Sequence, residues 1–163
     1  MRRRRPTRLL PVIALTLIAI ARPTEAVTLA VSGDASISHE TDGTWILAAG
    51  GATLTLAADA SRDFAVVKFT SASGQTVSQT GASDSAIRVN GATVPFGHRM
   101  GGFAFDNVSV ASQGNRLQLN ATFTLASARL RVTRHYIVVS GSPTFEVWNT
   151  YTPTAGDVTL SDL

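Results

Sequence analysis

The sequence predicts an all-β protein, an antiparallel β-sandwich that follows an N-terminal signal peptide. Three observations carry this prediction. Apolar residues recur at every second position in most segments after residue 26, which is the period of a half-buried strand. Pairs of residues that include glycine separate these segments, as they do in hairpins. No segment after residue 26 keeps a helical apolar stripe over three turns.

Residues 1–26 are typical of a secretory signal peptide. Arginine occupies residues 2–5, an apolar run covers residues 9–21, and Thr24 and Ala26 supply small residues before Val27. As a helix the apolar run would be about 20 Å long, against about 30 Å for a bilayer core. The leader therefore predicts cleavage before Val27, a secreted or periplasmic protein and no stable membrane anchor.

Composition then limits the class of protein. The chain has 163 residues, of which 44% are hydrophobic, enough for one domain with a core. Residues 27–163 hold eight basic and ten acidic residues, so the basic character of the whole chain belongs to the leader and nucleic acid is not an expected partner. The chain has no cysteine, which excludes disulfides and thiolate metal sites.

Alternating polarity predicts about ten short strands. It is without a fault over residues 116–125, and the following segment repeats it. The predicted inward side chains of these two strands are Leu117, Leu119, Phe123, Leu125, Leu130, Val132, Tyr136 and Val138. Further strands are predicted at 27–32, 44–49, 52–57, 64–70, 86–89, 103–110, 144–151 and 158–160.

Turn residues predict hairpins between these strands. Asn90-Gly91 is the sharpest signal, because both residues tolerate the positive φ of a type I′ turn. The other turn pairs are Ser73-Gly74, Gly114-Asn115, Ser140-Gly141 and Ala155-Gly156.

Motifs for catalysis, cofactors and metals are missing from the sequence. There is no Gly-x-Ser-x-Gly elbow and no glycine-rich phosphate loop, so we expect no catalytic residue and no cofactor. His39, His98 and His135 lie too far apart for a metal motif and are interpreted as surface or strand polar residues. The carboxylates that could serve glycoside hydrolysis are more simply turn caps. They are Glu40 with Asp42, Asp59 with Asp63, and Glu146.

Two features suggest a carbohydrate site. Trp148 shares its strand parity with Glu146 and Thr150, so it could be a sugar-stacking platform or pack against another domain. The simpler interpretation is that a twist or bulge returns Trp148 to the core. His98 and Arg99 lie in a glycine-rich, locally basic connection that could present them to a ligand, although a solvated loop is the simpler interpretation. Trp45 shares its parity with Leu47 and is predicted to be in the core.

The C-terminal third resembles a known sandwich domain. Residues 130–143 read LRVTRHYIVVSGSP and are followed by FEVW at 145–148. Together with the segments 44–47 and 64–74, they resemble the N-terminal domain of α-galactosidase (melibiase)-type glycoside hydrolases. That domain has a strand of the form x-V-x-R-x-Y before a Gly-x-Pro turn, and then an Asn-x-Gly hairpin. Residues 152–160 stand in the place of this hairpin but lack its asparagine.

The resemblance implies a galactose-mutarotase-like supersandwich that precedes a catalytic (β/α)₈ barrel. The catalytic aspartates of such enzymes lie on the barrel, which this sequence does not contain, so no catalytic residue can be carried over. The domain would be an exported, non-catalytic part of an α-galactosidase-like enzyme, packing on the barrel and supporting a homo-oligomer. An incomplete sandwich, with exposed edges, is then expected. Two alternatives stay open: a freestanding carbohydrate-binding or adhesive module, and a structural envelope protein without a small ligand.

Overall fold

The structure is a computed structural model that describes residues 26–58, 63–79, 83, 85–97 and 102–161. The strands are β1 (Val27–Ser32), β2 (Ala35–His39), β3 (Thr44–Ala49), β4 (Ala52–Ala57), β5 (Ala65–Thr70), β6 (Thr76–Ser78), β7 (Ser85–Val89), β8 (Ala92–Phe96), β9 (Ala104–Gln113), β10 (Arg116–Leu125), β11 (Leu130–Val139), β12 (Phe145–Pro153) and β13 (Leu160–Ser161). A 3-10 turn, Ala126–Ala128, joins β10 to β11. Across these ranges no helix is long and apolar enough to span a bilayer. The predicted signal peptide lies outside the described residues, apart from Ala26, and stays a prediction.

The strands form three antiparallel sheets. Strands β1 to β6 make a six-stranded meander, and a four-stranded sheet has the order β12-β11-β10-β9. A small third sheet has the order β13-β7-β8. Buried side chains of all three sheets belong to one hydrophobic cluster, so the large sheets pack face to face with the small sheet against them. The predicted all-β sandwich is confirmed.

Many of the core residues are inward positions that alternation predicts. All eight inward side chains predicted for β10 and β11 are at most 3% exposed. Trp45 is 6% exposed, which confirms its predicted place in the core. Burial of each large aliphatic side chain stabilises the fold by about 1.5–3 kcal/mol, so the two long central strands supply much of the hydrophobic free energy.

Three strands, β2, β6 and β8, escape the sequence prediction. β6 has three residues, all exposed, and so has no apolar alternation to detect. β8 contains Pro95, which cannot donate a backbone hydrogen bond, and the structure accommodates it because β8 lies at the edge of its sheet. β2 has five residues, and its only apolar ones are Ala35 and Ile37, so the alternation is too short to detect.

The predicted hairpin turn at Asn90-Gly91 is present. Both residues have positive φ, 49° and 83°, and Val89 pairs with Ala92 across the turn. This is the geometry that a type I′ turn requires.

Hydrogen bonds of the Asp34 carboxylate connect three hairpin turns at one end of the sandwich. Its Oδ1 atom accepts hydrogen bonds from the Ser140 hydroxyl at 2.8 Å and the Gly141 N–H at 2.7 Å. Its Oδ2 atom accepts one from the Gly50 N–H at 2.8 Å. The hydrogen bond from Ser140, followed by those from the two backbone N–H groups, lowers the pKa of Asp34 below its ordinary value. One carboxylate thus connects the β1–β2, β3–β4 and β11–β12 turns, which belong to both large sheets.

The close approach of these turns requires glycine at position 50. Gly50 has a φ of +56°, and a Cβ atom built on it would lie 2.5 Å from the backbone nitrogen of Pro143. Any other residue would strain the backbone and push the two turns apart.

The backbone carbonyl of Phe64 joins the sheets inside the core. The Tyr136 hydroxyl donates to this oxygen at 2.6 Å, and Nη1 of Arg134 lies 3.5 Å from it. Arg134 is only 2% exposed, and its guanidinium carbon lies 5.5 Å from the ring centroids of both Phe96 and Tyr136. Phe64 itself has a φ of 52°, an uncommon conformation for an aromatic residue. We call the Phe64 carbonyl, Tyr136 and Arg134 the Phe64 junction.

Replacing Tyr136 by phenylalanine tests the Phe64 junction. The Tyr136→Phe change leaves the buried carbonyl without its short hydrogen bond, so we expect the free energy of unfolding to fall by about 1–3 kcal/mol. Urea unfolding followed by circular dichroism measures it.

The other tyrosine of the chain provides the matched control. Tyr151 is half-buried, and within the described ranges its hydroxyl is hydrogen-bonded only to the Asn149 side chain, at 3.2 Å. Tyr151→Phe should change the free energy of unfolding by less than about 0.5 kcal/mol. Equal losses in both variants would contradict the role of Tyr136 in joining the sheets.

Candidate functional site

Trp148 lies on the outer face of the four-stranded sheet and is 41% exposed. The interpretation that a twist or bulge returns it to the core is wrong. The reason is that β12 pairs with β11 without a register shift from Leu130–Pro153 to Val138–Phe145, so the strand keeps its parity. We call the alternate positions of β10 to β12 that surround Trp148 the Trp148 face. They are Arg116, Gln118, Asn120, His135, Ile137, Glu146, Trp148 and Thr150.

Two cationic or aromatic neighbours fix the Trp148 ring. His135 is its direct partner across the strands, and the two ring centroids lie 5.0 Å apart with an interplanar angle of 26°. The guanidinium carbon of Arg116 is 5.9 Å from the Trp148 ring centroid. Arg116 is held in turn by Glu146, whose Oε2 lies 3.1 Å from Nη2. The exposed indole is therefore oriented before any ligand arrives.

A chain of hydrogen bonds crosses the Trp148 face. Oδ1 of Asn120 accepts from Nε2 of Gln118 at 2.5 Å and from Nδ1 of His135 at 2.6 Å. The Thr150 hydroxyl lies 2.8 Å from Nε2 of His135, and it donates to this nitrogen when the ring is neutral. Partial burial lowers the pKa of His135 below its ordinary value, which favours the neutral ring that this pattern uses.

One apolar side chain in this outward set is fully covered by its surroundings. Ile137 has the outward parity of β11 yet is fully buried, and it pairs with Gln118 on one side and Glu146 on the other. The accessible part of the Trp148 face thus combines a flat aromatic surface with planar polar side chains at its margin. Such a surface can bind a ligand that has one apolar face and several hydroxyl groups.

The structure describes only some of the other predicted site residues. His98 and Arg99 lie outside the described residues, as does Asp59. Asp42 serves as a turn cap, as predicted, because its Oδ1 accepts from the Thr44 N–H at 2.8 Å. Among the proposed carboxylates that the structure describes, Glu146 alone lies on the Trp148 face.

Metal-ligating side chains are not grouped in the described part of the chain. His39 stacks on Trp45 with ring centroids 4.4 Å apart, and His135 belongs to the hydrogen-bonded chain above. No three His, Asp or Glu residues within the described ranges lie close enough together to hold a metal ion.

Sequence reasoning missed Arg116, Gln118, Asn120 and His135 as members of the site. The sequence contains a signal for three of them. Arg116, Gln118 and Asn120 are outward residues of β10, the strand whose inward side is predicted correctly. What the alternation does not contain is the pairing of strands, which places Asn120, His135 and Trp148 in one row.

Comparison with known proteins adds no family. No family model, no curated protein and no solved structure matches the chain at a significant level. The functional meaning of the Trp148 face therefore rests on its geometry.

The titration of His135 tests the geometry of the face. The unfolded ring takes up a proton near pH 6.5 and the folded ring, whose pKa is lowered, only at lower pH, so the unfolded state binds more protons between these two values. We expect the free energy of unfolding to fall as the pH falls through this range. Urea unfolding between pH 5 and pH 8 measures the effect.

His135→Gln is the matched variant, because glutamine keeps polar atoms in the row but does not titrate. The part of the pH dependence that belongs to His135 should disappear in it. An NMR titration of the His135 ring with its midpoint above 6.5 would contradict a lowered pKa.

Proposed function

We propose that this domain is a non-catalytic carbohydrate-binding β-sandwich that holds sugar on the Trp148 face. The observation that carries the proposal is the exposed indole of Trp148, fixed by His135 on the polar outer side of a regular sheet. A pyranose ring has a face of C–H groups that packs on an aromatic ring, and its hydroxyls bond to planar polar side chains at the edge.

The dimensions of the face suit a short oligosaccharide. Strands in a sheet lie about 4.8 Å apart, so the row that runs from Trp148 through His135 and Asn120 and continues to Ser109 on β9 spans about 14 Å. His135, Asn120 and Ser109 in this row can each both donate and accept a hydrogen bond, as sugar hydroxyls do. The resemblance to the α-galactosidase-type domain makes galactose-containing polysaccharides the first ligands to test.

A second candidate function is that of an exported N-terminal domain in an α-galactosidase-like glycoside hydrolase. It is favoured by the apolar side chains that the edge strand β1 exposes. Val27, Leu29 and Val31 are 57%, 47% and 62% exposed. In a larger enzyme such a strand would pack against the catalytic domain. The two candidates use different surfaces, and one domain can serve both.

Affinity electrophoresis of the exported, purified protein tests the first candidate. Gels that contain galactomannan, arabinogalactan or xylan should retard the protein in at least one case. Trp148→Ala should weaken the retarding interaction about tenfold or more, because it removes the stacking surface.

Val147→Ala is the matched control, since Val147 is the neighbouring residue, is 45% exposed and lies on the opposite side of β12. It should be retarded as the wild type is. No retardation by any of the polysaccharides, or equal losses in the two variants, would contradict sugar binding on this face.

Light scattering tests the second candidate. This candidate predicts that the protein self-associates through β1 and that Val31→Lys reduces the self-association.

A further inference from the structure

A cavity of about 300 Å³ opens between the two large sheets at the edge formed by β9, and its volume is at the lower end of those typical of small-molecule sites. It is separate from the Trp148 face, because its residues on β9 and β10 lie on the inward side of the sheet and the Trp148 face is on the outward side.

The wall of this cavity is aromatic. Phe64 stands in its centre, with ring centroids 5.6 Å from Trp45, 5.8 Å from Phe105 and 6.0 Å from Phe123. Phe105 and Phe123 meet edge to face at 5.7 Å. The wall therefore offers both ring faces and ring edges, the two surfaces that a further aromatic ring packs against.

Phe105 is 48% exposed although it lies on the inward side of β9. A register shift beside Phe123 inserts an extra residue into β9 and places Phe105 opposite Phe123. Bulges of this kind redirect a side chain and are common next to binding sites. An aromatic ring held half in solvent at the mouth of an aromatic cavity is stabilised when a ligand covers it.

The backbone at the centre of the wall is strained. Phe64 has a φ of 52°, and residues in this conformation are found where a site must hold its geometry. The Phe64 junction supports this conformation from behind, through the hydrogen bond of Tyr136 to the Phe64 carbonyl.

We propose that this cavity binds a small planar aromatic compound of about two fused rings that carries one N–H or O–H group. The size follows from the volume, because a cavity of about 150 Å³ holds one benzene ring and this cavity has about twice that space. The donor group follows from His39, which also lines the cavity and whose neutral ring has a nitrogen that can accept a hydrogen bond. A sugar fits less well, since its many hydroxyls would face aromatic rings.

Titration of the exported, purified protein with 5-fluoroindole, followed by ¹⁹F NMR, tests the proposal. Saturable binding is expected with a Kd of about 10 μM to 1 mM, the range for a ligand of this size. Val108 also lines the cavity, so Val108→Phe should fill it and weaken binding at least tenfold.

Ala111→Phe is the matched control, because Ala111 lies on the same strand but pairs with Gln118 on the outer side. It should bind 5-fluoroindole as the wild type does. If Val108→Phe fails to fold, the wild-type protein provides the test. Nuclear Overhauser effects are then expected between the indole protons and the rings of Phe105 and Phe123. Absence of saturable binding, contacts to Trp148 in place of these rings, or undiminished binding by folded Val108→Phe would overturn the proposal. None of these outcomes measures polysaccharide binding, so the two proposals are tested by separate experiments.

Discussion

The packing of the two large sheets depends on hydrogen bonds to the buried backbone carbonyl of Phe64. This oxygen lies in a core where an unpaired carbonyl would be costly, and Tyr136 and Arg134 from the opposite sheet satisfy it. The guanidinium of Arg134 is covered by the rings of Phe96 and Tyr136, so a charged side chain is accepted among apolar ones. The interaction sets how the sheets face each other at the middle of β11. At the end of the sandwich, Asp34 holds the turns of both sheets together by a second polar contact.

This interior leaves the outer side of the four-stranded sheet free for binding. Because β10, β11 and β12 pair in regular register around Trp148, their outward side chains form rows across the strands. Trp148, His135 and Asn120 make one such row, and their contacts with one another orient each side chain. A site built on strands of a rigid sheet keeps its geometry better than one built on a loop, and this supports a binding role for the Trp148 face.

Alternation predicted the class of fold and the inward side of β10 and β11, because a period of two depends on local sequence alone. The burial of Arg134 was not predicted, although Arg134 has the same parity as Val132 and Tyr136 and alternation therefore places it on the inward side. Exposure of Trp148 could have been expected from its parity with Glu146, since no glycine or proline interrupts β12 around it. The sequence does not show which strands pair. The row on the Trp148 face and the cavity behind Phe105 therefore could not be predicted from it. Both depend on contacts between residues that are distant in the chain.

Carbohydrate binding at Trp148 can be observed at the indole itself. The chain has two tryptophans, Trp148 on the outer face and Trp45 in the core, so the indole N–H groups give two separate NMR signals. The decisive experiment is a ¹⁵N–¹H spectrum of the labelled protein during titration with galacto-oligosaccharides and with fragments of any polysaccharide that retards it. We expect a saturable shift of the Trp148 indole signal while the Trp45 signal stays in place. A shift of Trp45 alone, or no shift of either signal at saturating sugar, would contradict carbohydrate binding on the Trp148 face.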